Sequence, residues 1–327
     1  MAISSINSNT LAVEGAVRAA SNGRRSDIRG RIFEAALLLS LLISLLVLGV
    51  LLATVVSDGW GTYSDRGTGF LDGALSSRAS RAGISQGIVG SFWIAVSVIV
   101  LAVPLGIGAA IYLEEYAPRN RLTAFIELNI RNLAGVPSVV YGLLGLGIFV
   151  ETFNGFSSND GVDRRTLAAA GVTLAVLVLP IMIITTSEAI RAVPQALREG
   201  AYGVGATRWE VIRTQILPYA APGILTGGLL SIARAVGEAA PLIVIGAVTG
   251  FFSQNAGFTV SNVIDPNALQ ERFVALPTIV STWAKLPDDA FRVHLTAATI
   301  LAMLVFVLLI NSIAIVLRNR FEKKRSG

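Results

Sequence analysis

The stretch TLAAAGVTLAVLVLPIMIITTSEAI, residues 166–190, decides the fold. It carries one charged side chain, Glu188, and is long enough to cross about 30 Å of hydrocarbon as a helix. Five more apolar stretches flank it, at residues 32–56, 91–113, 122–152, 222–250 and 295–317. Composition agrees with this pattern. The 327 residues are 53% hydrophobic and only 14% charged, where a soluble domain carries about 25% charge. Mean hydropathy is +0.68. The expected fold class is all-α integral membrane, a polytopic bundle of about six transmembrane helices.

Two stretches depart from a plain span. Residues 122–152 are too many for one straight helix and contain Gly135-Val136-Pro137. Proline lacks an amide donor and disfavours helix in the residue before it, so a break is expected there. Residues 222–250 carry Gly223, Gly227 and Gly228, a spacing that lets helices approach closely.

Zero cysteines and a single histidine, His294, exclude disulfide frameworks, thiolate chemistry and zinc sites. No nucleophile–base set, HExxH motif or metal-ligand cluster supports an enzyme, so no catalytic or metal site is assigned. The formal charge of +5 belongs to basic residues in the loops and implies no nucleic-acid partner. With the N-terminus inside, sixteen Lys and Arg fall in inner segments and eight in outer loops. That bias places both termini in the cytoplasm of a multi-pass plasma-membrane protein. The expected organisation is a polar inner segment at 1–31, a first span at 32–56, an external loop at 57–90, a core at 91–318 and a basic inner tail at 319–327. The apolar run after the N-terminal segment is too long for a signal peptide and reads as an anchor. Within the external loop 251–293, the apolar segment FVALPTIVSTWAKL at 273–286 is too short to span and reads as a re-entrant or surface hairpin.

Residues 191–219 form a long inner loop. Pro194 suits the opening of a helix, and Pro218 and Pro222 are expected to end one. Between them Leu197, Ala201, Val204, Trp209, Ile212 and Ile216 recur at roughly helical spacing, while Gly203 and Gly205 permit a turn. The spacing alone fits one or two short amphipathic helices, including one that merely lies on the membrane surface.

This loop resembles the E-A-A-x3-G-x9-I-x-L-P loop of binding-protein-dependent ABC importer permeases. Glu199, Ala201, Gly205, Leu217 and Pro218 match, whereas Gly200 replaces the first Ala and Gln215 the Ile. The stretches GVPSVVYGLLGLGIFV (135–150) and LSIARAVGEAAPLIVIGA (230–247) resemble the PstA-type permeases of phosphate-specific transport. The resemblance implies a type I importer permease fold with a coupling helix in 191–219, and inorganic phosphate as substrate. It also implies a heterodimer with a PstC-like sister permease, two PstB-like ATPase subunits inside and a PstS-like phosphate-binding protein outside. Glu199, Gly200, Ala201, Gly205, Leu217 and Pro218 then form the ATPase-coupling set. The chain has three lysines and none in a G-x-x-x-x-G-K-[ST] loop, so ATP is a cofactor of partner chains only.

Arg131 and Arg234 are the two basic residues inside apolar stretches. Intramembrane charges usually face a bundle interior or a water-filled path. Counted along straight spans, both fall near mid-membrane. Each has an acidic neighbour one turn away, Glu127 and Glu238, so either pair reads as a self-neutralised structural tie or as part of an anion path. The substrate-path candidates are Arg234, Glu238 and Arg131, a guanidinium being suited to a tetrahedral oxyanion. Sulfate or molybdate fits the same chemistry, and a self-sufficient secondary anion transporter or channel is the alternative from another class.

Overall fold

The computed structural model describes residues 28–152, 165–247, 269 and 273–326, and every regular element among them is helical. Residues 1–27, 153–164, 248–268, 270–272 and 327 lie outside the described residues. Helix α1 (Ile28–Arg66) belongs to two units: residues up to Thr54 form one, and Val55 onward belongs to the other with the rest of the chain. The described part of the first unit, residues 28–54, presents exposed apolar side chains, Phe33, Leu42 and Leu51 among them.

The second unit is built around α5 (Leu167–Arg191), fifteen of whose 25 residues are buried. Thr166 caps its first turn by accepting from the Ala169 amide at 3.3 Å. On one side it packs along α2 (Ser85–Ile111), which continues through a π-helical turn, Tyr112–Tyr116. On the other it packs along α8 (Leu217–Gly237). Small residues set the α5–α8 distance: a Cβ added at Gly223 would stand 2.8 Å from the Ala189 Cβ, and one at Gly227 would collide with Thr185. The glycine spacing therefore serves close helix packing.

The third apolar stretch is broken where Pro137 predicts. Helix α3 (Arg121–Ala134) and α4 (Ser138–Leu144), which continues by a π-helical turn to Thr152, meet at a bend of 102°. The Tyr141 hydroxyl reaches back across the break and donates to the Leu133 carbonyl at 2.9 Å. It satisfies one of the acceptors that the end of α3 leaves without a helical partner. Counting the bent pair as one span, six segments among the described residues are long and apolar enough to cross a membrane.

After α5 come α6 (Gln195–Gly203) and α7 (Arg208–Val211). Pro218 and Pro222 do not end a helix, contrary to expectation. A π-helical turn at Ile212–Ile216 carries α7 into α8 without a stop, and Pro218 occupies the first turn of α8. The widened turn just ahead moves carbonyls out of the path of the proline ring, so the helix continues past it. Beyond α8 the chain breaks at Glu238, whose backbone is extended, before α9 (Ala240–Ile245). Segment 273–286 holds α10 (Leu276–Trp283), and α11 (Thr296–Ser326) follows. Phe273 to Ile279 are buried, and the Leu276 amide donates to Ser91 Oγ of α2 at 2.9 Å. This segment is a wedge between helices, not a surface hairpin.

Candidate functional site

Two chain breaks meet in the bundle. Gly142 on α4 sits so close to α9 that an added Cβ would stand 2.7 Å from the Pro241 Cα. At this junction the Ser138 hydroxyl, at the start of α4, donates to Glu238 Oε1 at 2.8 Å, where α8 has just ended. Glu238 is therefore turned toward the break of the other span. Arg234, in the last turn of α8, is exposed and has no ion pair among the described residues. The helical i,i+4 pairing of Arg234 with Glu238 does not form, because the helix stops at Gly237 and Glu238 leaves its axis.

The second expected pair also fails to form. Glu127 on α3 faces Arg191 at the end of α5, 3.4 Å away, and Arg131 is exposed without an ion pair among the described residues. Neither arginine has an ion pair among the described residues: Glu127 faces Arg191, and Glu238 leaves the helix axis and accepts from Ser138.

The two do not share one level. Antiparallel contacts of Gly223 with Ala189 and Gly227 with Thr185 set the register of α8 on α5. Extended by that register, Arg234 lies beside the middle of α5. Arg131 opens on a cleft lined by Ile183, Ser187, Glu188 and Arg191, at the end of α5 that leads into the loop. The separation along α5 is about 15 Å at a 1.5 Å rise per residue. The depth expected for Arg131 assumed a straight span, and the 102° bend removes that assumption.

The 191–219 loop is a structured protrusion. Gly205 has φ +88°, the left-handed conformation that reverses the chain between α6 and α7. Thr207 and Glu210 then close a capping box at the start of α7. Val193, Val211, Ile212 and Ile216 are buried against Ala110, Met182, Ile183 and Ile190. The tip faces outward, with Val204 87%, Trp209 55% and Tyr202 45% exposed beside exposed Glu199 and Gly200. Of the expected coupling residues, Glu199, Gly200 and Gly205 are at the exposed tip, while Ala201 and Leu217 pack half-buried at its base and Pro218 opens α8.

Sequence reasoning missed the polar base of this protrusion. Glu114 and Glu115, in the π-helical turn after α2, receive Arg191 and Arg198. Arg208 lies over the Tyr116 ring, 5.4 Å from its centroid. A run of two acids in an apolar protein is a usable signal, but partners 77 and 83 positions away are not legible from spacing.

The site thus lies among broken apolar helices of membrane-spanning length, with a structured loop between two of them. The chain belongs to the family of binding-protein-dependent transport system inner membrane components, whose model matches residues 102–327. It is 31% identical over 303 residues to the phosphate transport system permease protein PstA 1 of Mycobacterium tuberculosis (strain ATCC 25618 / H37Rv), covering 92% of this chain and 91% of that one. It is 32% identical to the phosphate transport system permease protein PstC of Mesorhizobium japonicum, over 66% of this chain and 71% of that one. Among solved structures, the inward-facing MetNI methionine ABC transporter matches with a TM-score of 0.51 at 17% identity, covering 73% of this chain and 94% of that one. That likeness concerns the fold.

Proposed function

We propose that this chain is one of two permease subunits of an ATP-driven importer that moves inorganic phosphate across the plasma membrane. The observation that carries the proposal is the likeness to a PstA protein along 92% of the chain, which reaches well beyond the family core. The PstC likeness supports a second, homologous permease as partner, the two forming a path between them. In this reading Arg234 is the cation that meets the anion near mid-bundle. Glu238 stands one step further along the chain and keeps the local charge low enough for the anion to leave, since passage requires weak binding. Arg131 serves the loop-side end of the path.

The exposed tip of the 191–219 loop seats a partner ATPase, with Glu199, Gly200 and Gly205 at the contact. Ala201, Leu217 and Pro218 join it to the spans. ATP is bound by that partner and not by this chain. A phosphate-binding protein delivers substrate from outside, and both termini lie in the cytoplasm, in keeping with the bias of basic residues.

The experiment is uptake of radiolabelled phosphate by cells or vesicles carrying the complete transporter with Arg234→Ala. Uptake is expected to be lost while the ATPase still co-purifies with the permeases. Normal uptake kinetics in that variant would contradict the role of Arg234. Excess sulfate is expected not to compete in the unmodified transporter, and competition at equal potency would transfer the proposal to oxyanions in general.

A further inference from the structure

The helix that carries the loop's tip, α6, has no buried residue of its own. Its apolar anchorage is slight, Ala201 packing half-buried against the base of the protrusion. Polar contacts add to it. Arg198 on α6 pairs with Glu115, and the pair is largely withdrawn from solvent, with side chains 17% and 7% exposed. The second guanidinium nitrogen of Arg198 donates to the Ile190 carbonyl at 2.8 Å, in the last turn of α5. One side chain thus joins α6 to the ends of both α2 and α5.

A second arginine continues the tie. Arg191 grips Glu114 with two nitrogens, each 2.8 Å from a carboxylate oxygen, and reaches Glu127 on α3 at 3.4 Å. The forked geometry suits this use, since guanidinium stays charged and fixes direction as well as distance. A loop lying on a membrane surface would point such arginines outward to solvent or lipid headgroups. Here both are paired with carboxylates supplied by helices of the bundle, Arg198 largely withdrawn from solvent and Arg191 half-exposed.

We infer that Arg198 and Glu115, supported by Arg191 with Glu114 and Glu127, are positioning residues that make α6 move as one body with the ends of α2, α3 and α5. The inference rests on the reading of the 191–219 loop as the seat of an ATPase. A stroke delivered to the tip then reaches three spans without being absorbed by bending at Pro194 or Gly205.

The test removes the pair without leaving a lone buried charge, by combining Glu115→Leu with Arg198→Met. In vesicles holding the complete transporter, phosphate moved per ATP hydrolysed is expected to fall about tenfold, the scale of a coupled contact pair. An unchanged ratio overturns the inference. Hydrogen exchange in the complex with Arg198→Gln gives an independent measure. Amides of α6 are expected to exchange faster while those of central α5 do not, and unchanged α6 exchange also overturns the inference. Gly205→Asp separates the two levels of the argument. If it uncouples ATP hydrolysis from uptake and the paired substitution does not, only the positioning role falls. If neither alters the ratio, the loop itself has been misread.

Discussion

At the scale of residues, two glycines of the same short segment make opposite predictions. Gly205 has φ +88° and open space around the position of a Cβ, so a side chain there meets strain from the backbone alone. Gly205→Ala is expected to destabilise the chain by about 1 kcal/mol. Gly200 lies within α6, also with open space where a Cβ would go. Gly200→Ala is expected to stabilise by roughly 0.5–1 kcal/mol, because alanine loses less backbone freedom on entering a helix. Thermal unfolding of the purified chain in detergent checks both, the midpoint moving down for the first and up for the second. The need for glycine at 205 was legible, because turn chemistry is local. The ion pairs of Glu114 and Glu115 were not, since they depend on which helix ends the fold brings together. Nor was it legible that neither candidate i,i+4 pair forms, Glu127 facing Arg191 and Glu238 leaving the helix axis to accept from Ser138.

At the scale of elements, the broken third span is bridged by a side chain as well as by turn hydrogen bonds of the backbone. Tyr141→Phe removes the hydroxyl that bonds to the Leu133 carbonyl across the break and leaves the packing of the ring intact. The change is expected to cost about 1 kcal/mol, with faster hydrogen exchange confined to residues near the bend. Exchange identical to that of the unmodified chain would show that the bend is held by other contacts. Proline gave a sound reading at 137 and a wrong one at 218 and 222. The difference lies in the neighbouring backbone. At 137 the adjoining Gly135 and the three-residue gap Gly135-Val136-Pro137 let the helix stop, whereas at 218 a π-helical turn absorbs the ring and the helix runs on to Gly237. Hydropathy cannot distinguish these cases, because both prolines lie among apolar residues.

At the scale of the whole molecule, six spanning segments were legible from apolar length alone, the physical demand of a bilayer being severe. What apolar length leaves open is which faces meet protein and which meet lipid. Phe125, Leu128, Val139, Leu143 and Ile148 on α3, α4 and its continuation remain exposed. An apolar face of that extent is consistent with cover by a sister permease or by lipid, as the proposed heterodimer requires. The central claim is that this chain provides half of a path and none of the driving energy. Its most direct test is phosphate flux into vesicles containing either this chain alone or the full set of permeases, ATPase and binding protein. Uptake is predicted only for the full set, and only with ATP inside the compartment that holds the ATPase. Phosphate movement by the chain alone, down an imposed gradient and without ATP, would contradict it.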